Sequence, residues 1–273
     1  MHGRSDVHPL LPPLLPLLIT PLLLMAGAVD ARAGQACEDK PRGPGEVIRS
    51  MNLAQRTVQA LESSGARVAL VSRAGQDLSR YGVRYSHMGI VVRDHPQGRW
   101  TVVHELNDCG TAASGLYVEG MGNFFLTDLY RFEAQLIIPG TALQERLAAL
   151  FATRTPLRLH EPRYNMLAYV YATQYQNSNQ WVLENLAAAS APPGDVATRE
   201  EAQSWLKGQR YQPPTLQIPA TVRLGARLFR ANVAFDDHPF DRRMAGQIDT
   251  VTTEAVRQLV RSVDPQMRTV VID

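Results

Sequence analysis

The sequence predicts an α+β domain, with helices packed on a mainly antiparallel sheet. Three observations carry that prediction. Two β-rich runs, residues 85–94 and 99–106, flank His95-Pro96-Gln97-Gly98, where Pro and Gly within four residues mark a hairpin. Other segments place apolar residues at helical spacing and stop at turn residues. No internal repeat is present, which leaves one core rather than a stack of units.

The elements follow in order. Residues 41–45 are linker-like. Met51, Ala54, Val58 and Leu61 recur at helical spacing, and Gly65 is a natural stop. Residues 67–72 read as a strand, followed by a polar turn around Gly75 and a short helical piece to Tyr81. After the hairpin, residues 110–122 read as loop, 124–132 as helix, 134–139 as strand and 143–153 as an amphipathic helix. Residues 163–171 are apolar and aromatic without periodicity. A helix over 177–189 carries Trp181, Leu183 and Leu186 and ends at Pro192-Pro193-Gly194. Residues 200–207 form a short helix, and 253–263 the final one, with Val256, Leu259, Val260 and Val263 on one side.

Length and charge narrow the function classes. The chain has 273 residues, is 45% hydrophobic, and carries 28 basic against 26 acidic side chains. That suits one globular domain with a real core. A net charge of +2, with no basic block and no aromatic residues interleaved with Lys or Arg, excludes nucleic acid as the main partner.

Residues 1–33 read as a signal peptide, and 34–273 as a single domain. Arg4 opens a short polar region, residues 10–28 are apolar, and Ala31-Arg32-Ala33 supplies a cleavage site. Pro9, Pro12, Pro13, Pro16 and Pro21 would break a spanning helix, so no stable membrane span is expected. Cys37 lies too far past the apolar run for lipid attachment. The expected product is an exported, periplasmic protein. Its only cysteines, Cys37 and Cys109, suggest one disulfide in an oxidising compartment. Two separate buried thiols are the alternative. Cys109 reads poorly as a nucleophile, because no apolar helix follows its turn.

Two positions could carry chemistry. His87 sits in the strand Tyr85-Ser86-His87-Met88-Gly89-Ile90-Val91-Val92, and Ser178 opens the helix Asn177-Ser178-Asn179-Gln180-Trp181-Val182-Leu183-Glu184. A hydroxyl nucleophile needs a base within hydrogen-bond reach and a third group to orient that base. A helix N-terminus adds free N–H groups and the positive end of the dipole. Each residue also has a plain reading, Ser178 as a helix cap and His87 as a hydrogen-bonded strand residue.

The third member would come from Val102-Val103-His104-Glu105-Leu106. If Asp94 pairs with Arg99, His87 faces Leu106 and shares its face with His104. A one-residue change in loop length would bring Glu105 round instead. His104 is preferred. Asp236, Asp237 and His238 could supply metal ligands, but the same residues are ordinary turn chemistry. No metal and no cofactor are assigned. Tyr164 and Asn165 read as cleft wall, and His160-Glu161-Pro162 carries a weaker signal still.

The SHMGIVV strand followed by NSNQWVLE resembles the circularly permuted papain-like hydrolases, relatives of NlpC-type cell-wall peptidases and lecithin retinol acyltransferase. In those a strand histidine precedes an Asn-Cys helix. The longer stretches RYSHMGIVVRDHPQGRWTVVHELNDCGT, HEPRYNMLAYVYATQYQNSNQWVLE and FRANVAFDDHP resemble bacterial domain-of-unknown-function family 2145. The resemblance implies a permuted papain-like fold, with His87 as base, Ser178 at the nucleophile position and His104 or Glu105 as the polar third residue.

Serine in place of cysteine is the departure. A thiol is ionised by an imidazolium and a helix N-terminus, whereas a hydroxyl needs its proton removed during attack. Two functions therefore stand. One is an exported hydrolase or acyltransferase acting on an amide or ester of a cell-wall peptide or lipid. The other is a retired papain-like site that serves as a binding or scaffold protein of the envelope.

Overall fold

The computed structural model describes residues 42–127 and 129–273. These belong to one compact unit. Residues 1–33, read from the sequence as a signal peptide, lie outside the described residues, as does Cys37.

Helix α1, Pro44–Ser64, begins with Pro in its first turn and ends at Gly65, which adopts φ 71° and donates its N–H to the Glu62 carbonyl. Its buried face is Ser50, Leu53, Ala54, Thr57 and Leu61. Met51, expected on that face, is exposed. Strand β1, Val68–Ala74, is buried on both sides, which explains why Val68-Ala69-Leu70-Val71 lacks polar alternation. A 3-10 turn, Ser79–Tyr81, follows.

β2, His87–His95, and β3, Gly98–Asn107, form the expected hairpin with Asp94 opposite Arg99, Val91 opposite Val102 and Ile90 opposite Val103. This is the register that places His104 on the His87 face.

Two readings between residues 110 and 132 are corrected. Residues 114–120 form strand β4, Ser114–Gly120, not a loop. The run expected as helix over 124–132 is divided between a short α2, Met121–Phe125, and β5, Arg131–Ile138. β4 is an edge strand with mostly half-exposed side chains and a glycine near each end, so it shows little apolar alternation.

α3, Thr141–Phe151, and a single-turn α4, Thr155–Arg158, lead through irregular chain to α5, Ser178–Ser190. α6, Arg199–Gly208, starts with a Thr198–Glu201 capping box. A small unit follows: β6, Thr215–Gln217, α7, Ala220–Phe229, α8, Phe240–Met244, and β7, Gln247–Asp249, with β6 and β7 paired. α9, Thr253–Val263, is the final helix as expected, and β8, Arg268–Ile272, follows it and pairs with β5.

The main sheet is antiparallel throughout, in the order β4-β3-β2-β1-β5-β8. One face packs Val71, Val91, Val102 and Trp100 against Leu53, Leu61, Phe124 and Phe125. The other packs Leu70, Met88, Ile90 and Val103 against Trp181, Val182, Leu186 and the apolar side of α9.

α5 is buried nearly all round. Its buried carboxylate is paired. Glu184 receives Arg199 through two nitrogens at 2.8 and 3.1 Å, together with Gln176, Gln180 and Gln203. A lone buried carboxylate there would cost several kcal/mol. None of the described helices is long and apolar enough to cross a membrane.

Candidate functional site

The N-terminus of α5 and the beginning of β2 converge beneath a cleft of about 770 Å³. Asn177 caps α5, its side chain accepting from the Gln180 N–H at 2.8 Å. Ser178 is therefore the first helical residue, and its hydroxyl is free of capping duty. Ser178 Oγ lies 3.1 Å from His87 Nδ1. His87 Nε2 lies 2.8 Å from His104 Nδ1. His104 Nε2 in turn lies 3.0 Å from Glu119 Oε1 on β4. The last contact is close, but its angle falls short of a well-aligned N–H···O bond.

One assignment of protons suits the whole chain. Ser178 O–H donates to His87 Nδ1, His87 Nε2–H donates to His104 Nδ1, and His104 Nε2–H points toward Glu119. Both imidazoles are then neutral. Burial, Arg73 and His104 hold His87 well below the usual histidine range. Burial also lowers His104, with Glu119 opposing. The arrangement presents a neutral base to a neutral hydroxyl. It does not favour the imidazolium that a thiolate would need.

Gly89 leaves room for the two histidines, whose rings meet at a 59° tilt with centroids 5.1 Å apart. A Cβ there would stand 2.7 Å from Val102 Cγ1 and 3.1 Å from His104 Cβ. Phe124 closes the pair from below, with ring centroids 5.8 Å from His87 and 5.3 Å from His104.

Glu105, the other candidate for the third position, points to the opposite face. Its Oε1 accepts from Ser114 Oγ at 2.8 Å, and its Oε2 has no partner. Burial pushes its carboxyl up to about 8, so it is largely protonated at neutral pH. Tyr164 lines the cleft beside Ser178, and burial raises its hydroxyl pKa despite contacts with the Ser178 hydroxyl and N–H. It therefore remains a donor. Asn165 is structural, binding the Ala234 carbonyl and N–H and the Leu167 N–H.

The Asp236-Asp237-His238 cluster is consumed locally. Asp237 accepts from the Tyr169 N–H at 2.8 Å and contacts His238 Nδ1 at 2.9 Å, while His238 Nε2 reaches the Asp249 carbonyl at 3.2 Å. Asp236 accepts from Gln174 and Tyr175. Among the described residues, no group of three or more His, Cys, Asp or Glu could hold a metal ion. His160 contacts Ser114 Oγ at 3.1 Å, away from Ser178. Cys109 is not a free thiol.

The structure thus brings together His87, Ser178 and His104, and adds two residues that the sequence reading missed. Glu119 was hidden in a strand read as loop. The available signal was Leu116-Tyr117-Val118-Glu119, whose alternation puts Tyr117 and Glu119 on one face, with Tyr117 opposite His104. Arg73, directly opposite His87 in the ladder, is the other.

A buried Ser–His–His triad that ends on the half-exposed Glu119, under a cleft at the junction of a capped helix and an antiparallel sheet, defines an α+β domain with a candidate nucleophile site. The chain belongs to a bacterial family described as uncharacterized protein conserved in bacteria (DUF2145), whose model matches residues 60–260. No curated protein and no solved structure matches it.

Proposed function

We propose that this is an acyl-transfer site of the permuted papain-like kind, in an exported protein that hydrolyses or transfers an amide or ester of the cell envelope. One observation carries the reading: a continuous polar chain from Ser178 through His87 and His104 to Glu119, with steps of 3.1, 2.8 and 3.0 Å.

Ser178 Oγ would attack the substrate carbonyl as His87 Nδ1 takes its proton. The resulting imidazolium is stabilised through His104 by Glu119. The Asn179 N–H in the first turn of α5 and the Tyr164 hydroxyl would donate to the oxyanion. Collapse passes the proton from His87 to the leaving amine or alcohol. Water, activated by the same imidazole, then releases the acyl group. The chain order of base before nucleophile, and the helix packed on an antiparallel sheet, support the permuted papain-like assignment.

The burial of His87 beside Arg73 favours a second reading, because both oppose the imidazolium that turnover requires. In that reading the cleft binds its ligand without cleaving it. A fluorophosphonate probe separates the two. The enzyme reading expects covalent labelling of Ser178 that is lost in Ser178→Ala and falls at least a hundredfold in His87→Ala. His87 must be neutral to act, and its pKa is depressed. Labelling should therefore persist as pH drops through 6.5 and fall only at lower pH. No labelling between pH 5 and 9 would remove the enzyme and leave the binder.

A further inference from the structure

Arg73 and His87 are cross-strand partners in β1 and β2, so their side chains leave the sheet on the same face. Arg73 is 7% exposed and lines the cleft together with His87, Tyr164 and Ser178. Its guanidinium lies 4.5 Å over the Phe124 ring and donates from Nη1 to the Phe124 carbonyl. That is its one hydrogen bond among the described residues, and no carboxylate there lies within ion-pair distance of it. Glu119 acts on it only through the longer-range field, its own close contact being with His104.

A guanidinium removed from water usually has a carboxylate in front of it. Here burial draws the pKa down to about 10, so the group is still charged at neutral pH. Among the described residues, the Nε–H and Nη2–H side of the fork has no acceptor. That edge matches the two oxygens of a carboxylate.

We propose that Arg73 is the anion-recognition residue of the cleft, holding a carboxylate of the ligand beside Ser178. The ligand is then an acidic amide or ester, as in a peptide with a free carboxyl group, rather than a neutral lipid ester. The statement about the bond attacked rests on the acyl-transfer reading, but the binding of the anion does not. If Arg73 served only to tie α2 to the sheet through Phe124, its replacement would cost stability and leave ligand preference untouched.

The test uses the full mature chain in two arms. In the binding arm, Ser178→Ala protein is titrated calorimetrically with succinate, N-acetyl-D-glutamate, their diamides and inorganic phosphate. At least one dicarboxylate should bind tenfold or more tighter than its diamide. Arg73→Gln should bring that ratio close to one, and Arg73→Lys, which keeps the charge without the fork, should lie between.

In the turnover arm, mono-p-nitrophenyl succinate is compared with p-nitrophenyl butyrate on protein retaining Ser178. The acidic ester should be preferred at least tenfold in kcat/KM, and the preference should fall in Arg73→Gln. If neither ester is turned over but the acid-to-amide ratio behaves as stated, the acyl-transfer reading fails and Arg73 stands. Three results overturn the proposal: no binding of either dicarboxylate, a ratio unchanged by Arg73→Gln, or preference for phosphate alone. Should Arg73→Gln fail to fold, a ratio unchanged in Arg73→Lys also overturns it.

Discussion

Glu105→Gln removes one ionisation from the cleft wall while keeping the shape of the side chain. In the wild type the carboxyl is fully buried and its pKa is raised from 4.5 to about 8, chiefly by burial. Between those values the folded protein holds a proton that the unfolded chain has released, so stability falls as pH rises. The stabilisation is fully present below 4.5 and has been lost once pH passes about 8. At about 1.36 kcal/mol per pH unit, that gap amounts to roughly 5 kcal/mol.

Histidines 87, 95, 104 and 160 have lowered pKa values and act with the opposite sign, destabilising the fold as pH falls below 6.5. The clearest window is therefore pH 6.5 to 8, where Glu105 should cost the wild type roughly 2 kcal/mol, with Glu184, also raised by burial, acting in the same direction in both proteins. For a domain of this size that is a fall in Tm of roughly 4–8 °C. Gln keeps an oxygen to accept from Ser114 and has nothing to titrate. Thermal unfolding followed by circular dichroism from pH 6.5 to 8.5 should show the wild type losing clearly more stability than Glu105→Gln, the difference between the two slopes being the Glu105 contribution. Parallel slopes for the two proteins, or no slope in the wild type, would refute the assignment of a buried neutral acid.

Glu119→Gln should slow probe labelling of Ser178 roughly tenfold, the effect of losing about 1.4 kcal/mol from a partly exposed charge-assisted contact. It should also lower the His87 pKa further in an imidazole NMR titration, because the Arg73 charge is then less compensated. Unchanged labelling and titration would remove Glu119 from the chain of contacts. Gly89→Ala should cost about 1–3 kcal/mol in urea unfolding, since its methyl group must displace Val102 or His104. A variant as stable as the wild type, with unshifted histidine signals, would contradict that packing. Mass spectrometry of protein from an envelope fraction should find an N-terminus near residue 34 and, in a non-reduced peptide map, a Cys37–Cys109 link. Reducing that link should cost roughly 4 kcal/mol in the chain-entropy account, and a retained Met1 or two free thiols would sink the corresponding proposal.

Much of the fold was legible because its signals are local. Gly65 ended α1 as its permissive backbone allows, and the Pro96-Gln97 turn set the β2–β3 pairing. That pairing in turn chose His104 over Glu105, since strand side chains alternate faces. Asn177 and Ser178 marked the start of α5 for the same reason, a cap being a matter of neighbouring residues.

Sequence alone could bring His87, His104 and Ser178 forward as candidates, but it could not bring in Glu119 or Arg73. Glu119 sits on an edge strand whose half-exposed side chains leave no strong period, and it reaches His104 only once β4 docks on β3. Arg73 lies in an apolar run, where a single Arg looks like the end of a strand. Its position opposite His87 is a β1–β2 pairing across an irregular connection. The protonation states were likewise decided in three dimensions. Burial beside Arg73 holds His87 neutral, and burial outweighs Ser114 and the more distant Arg199 to hold Glu105 protonated. The dielectric around a side chain depends on everything packed against it, and strand neighbours drawn from distant parts of the chain set it here.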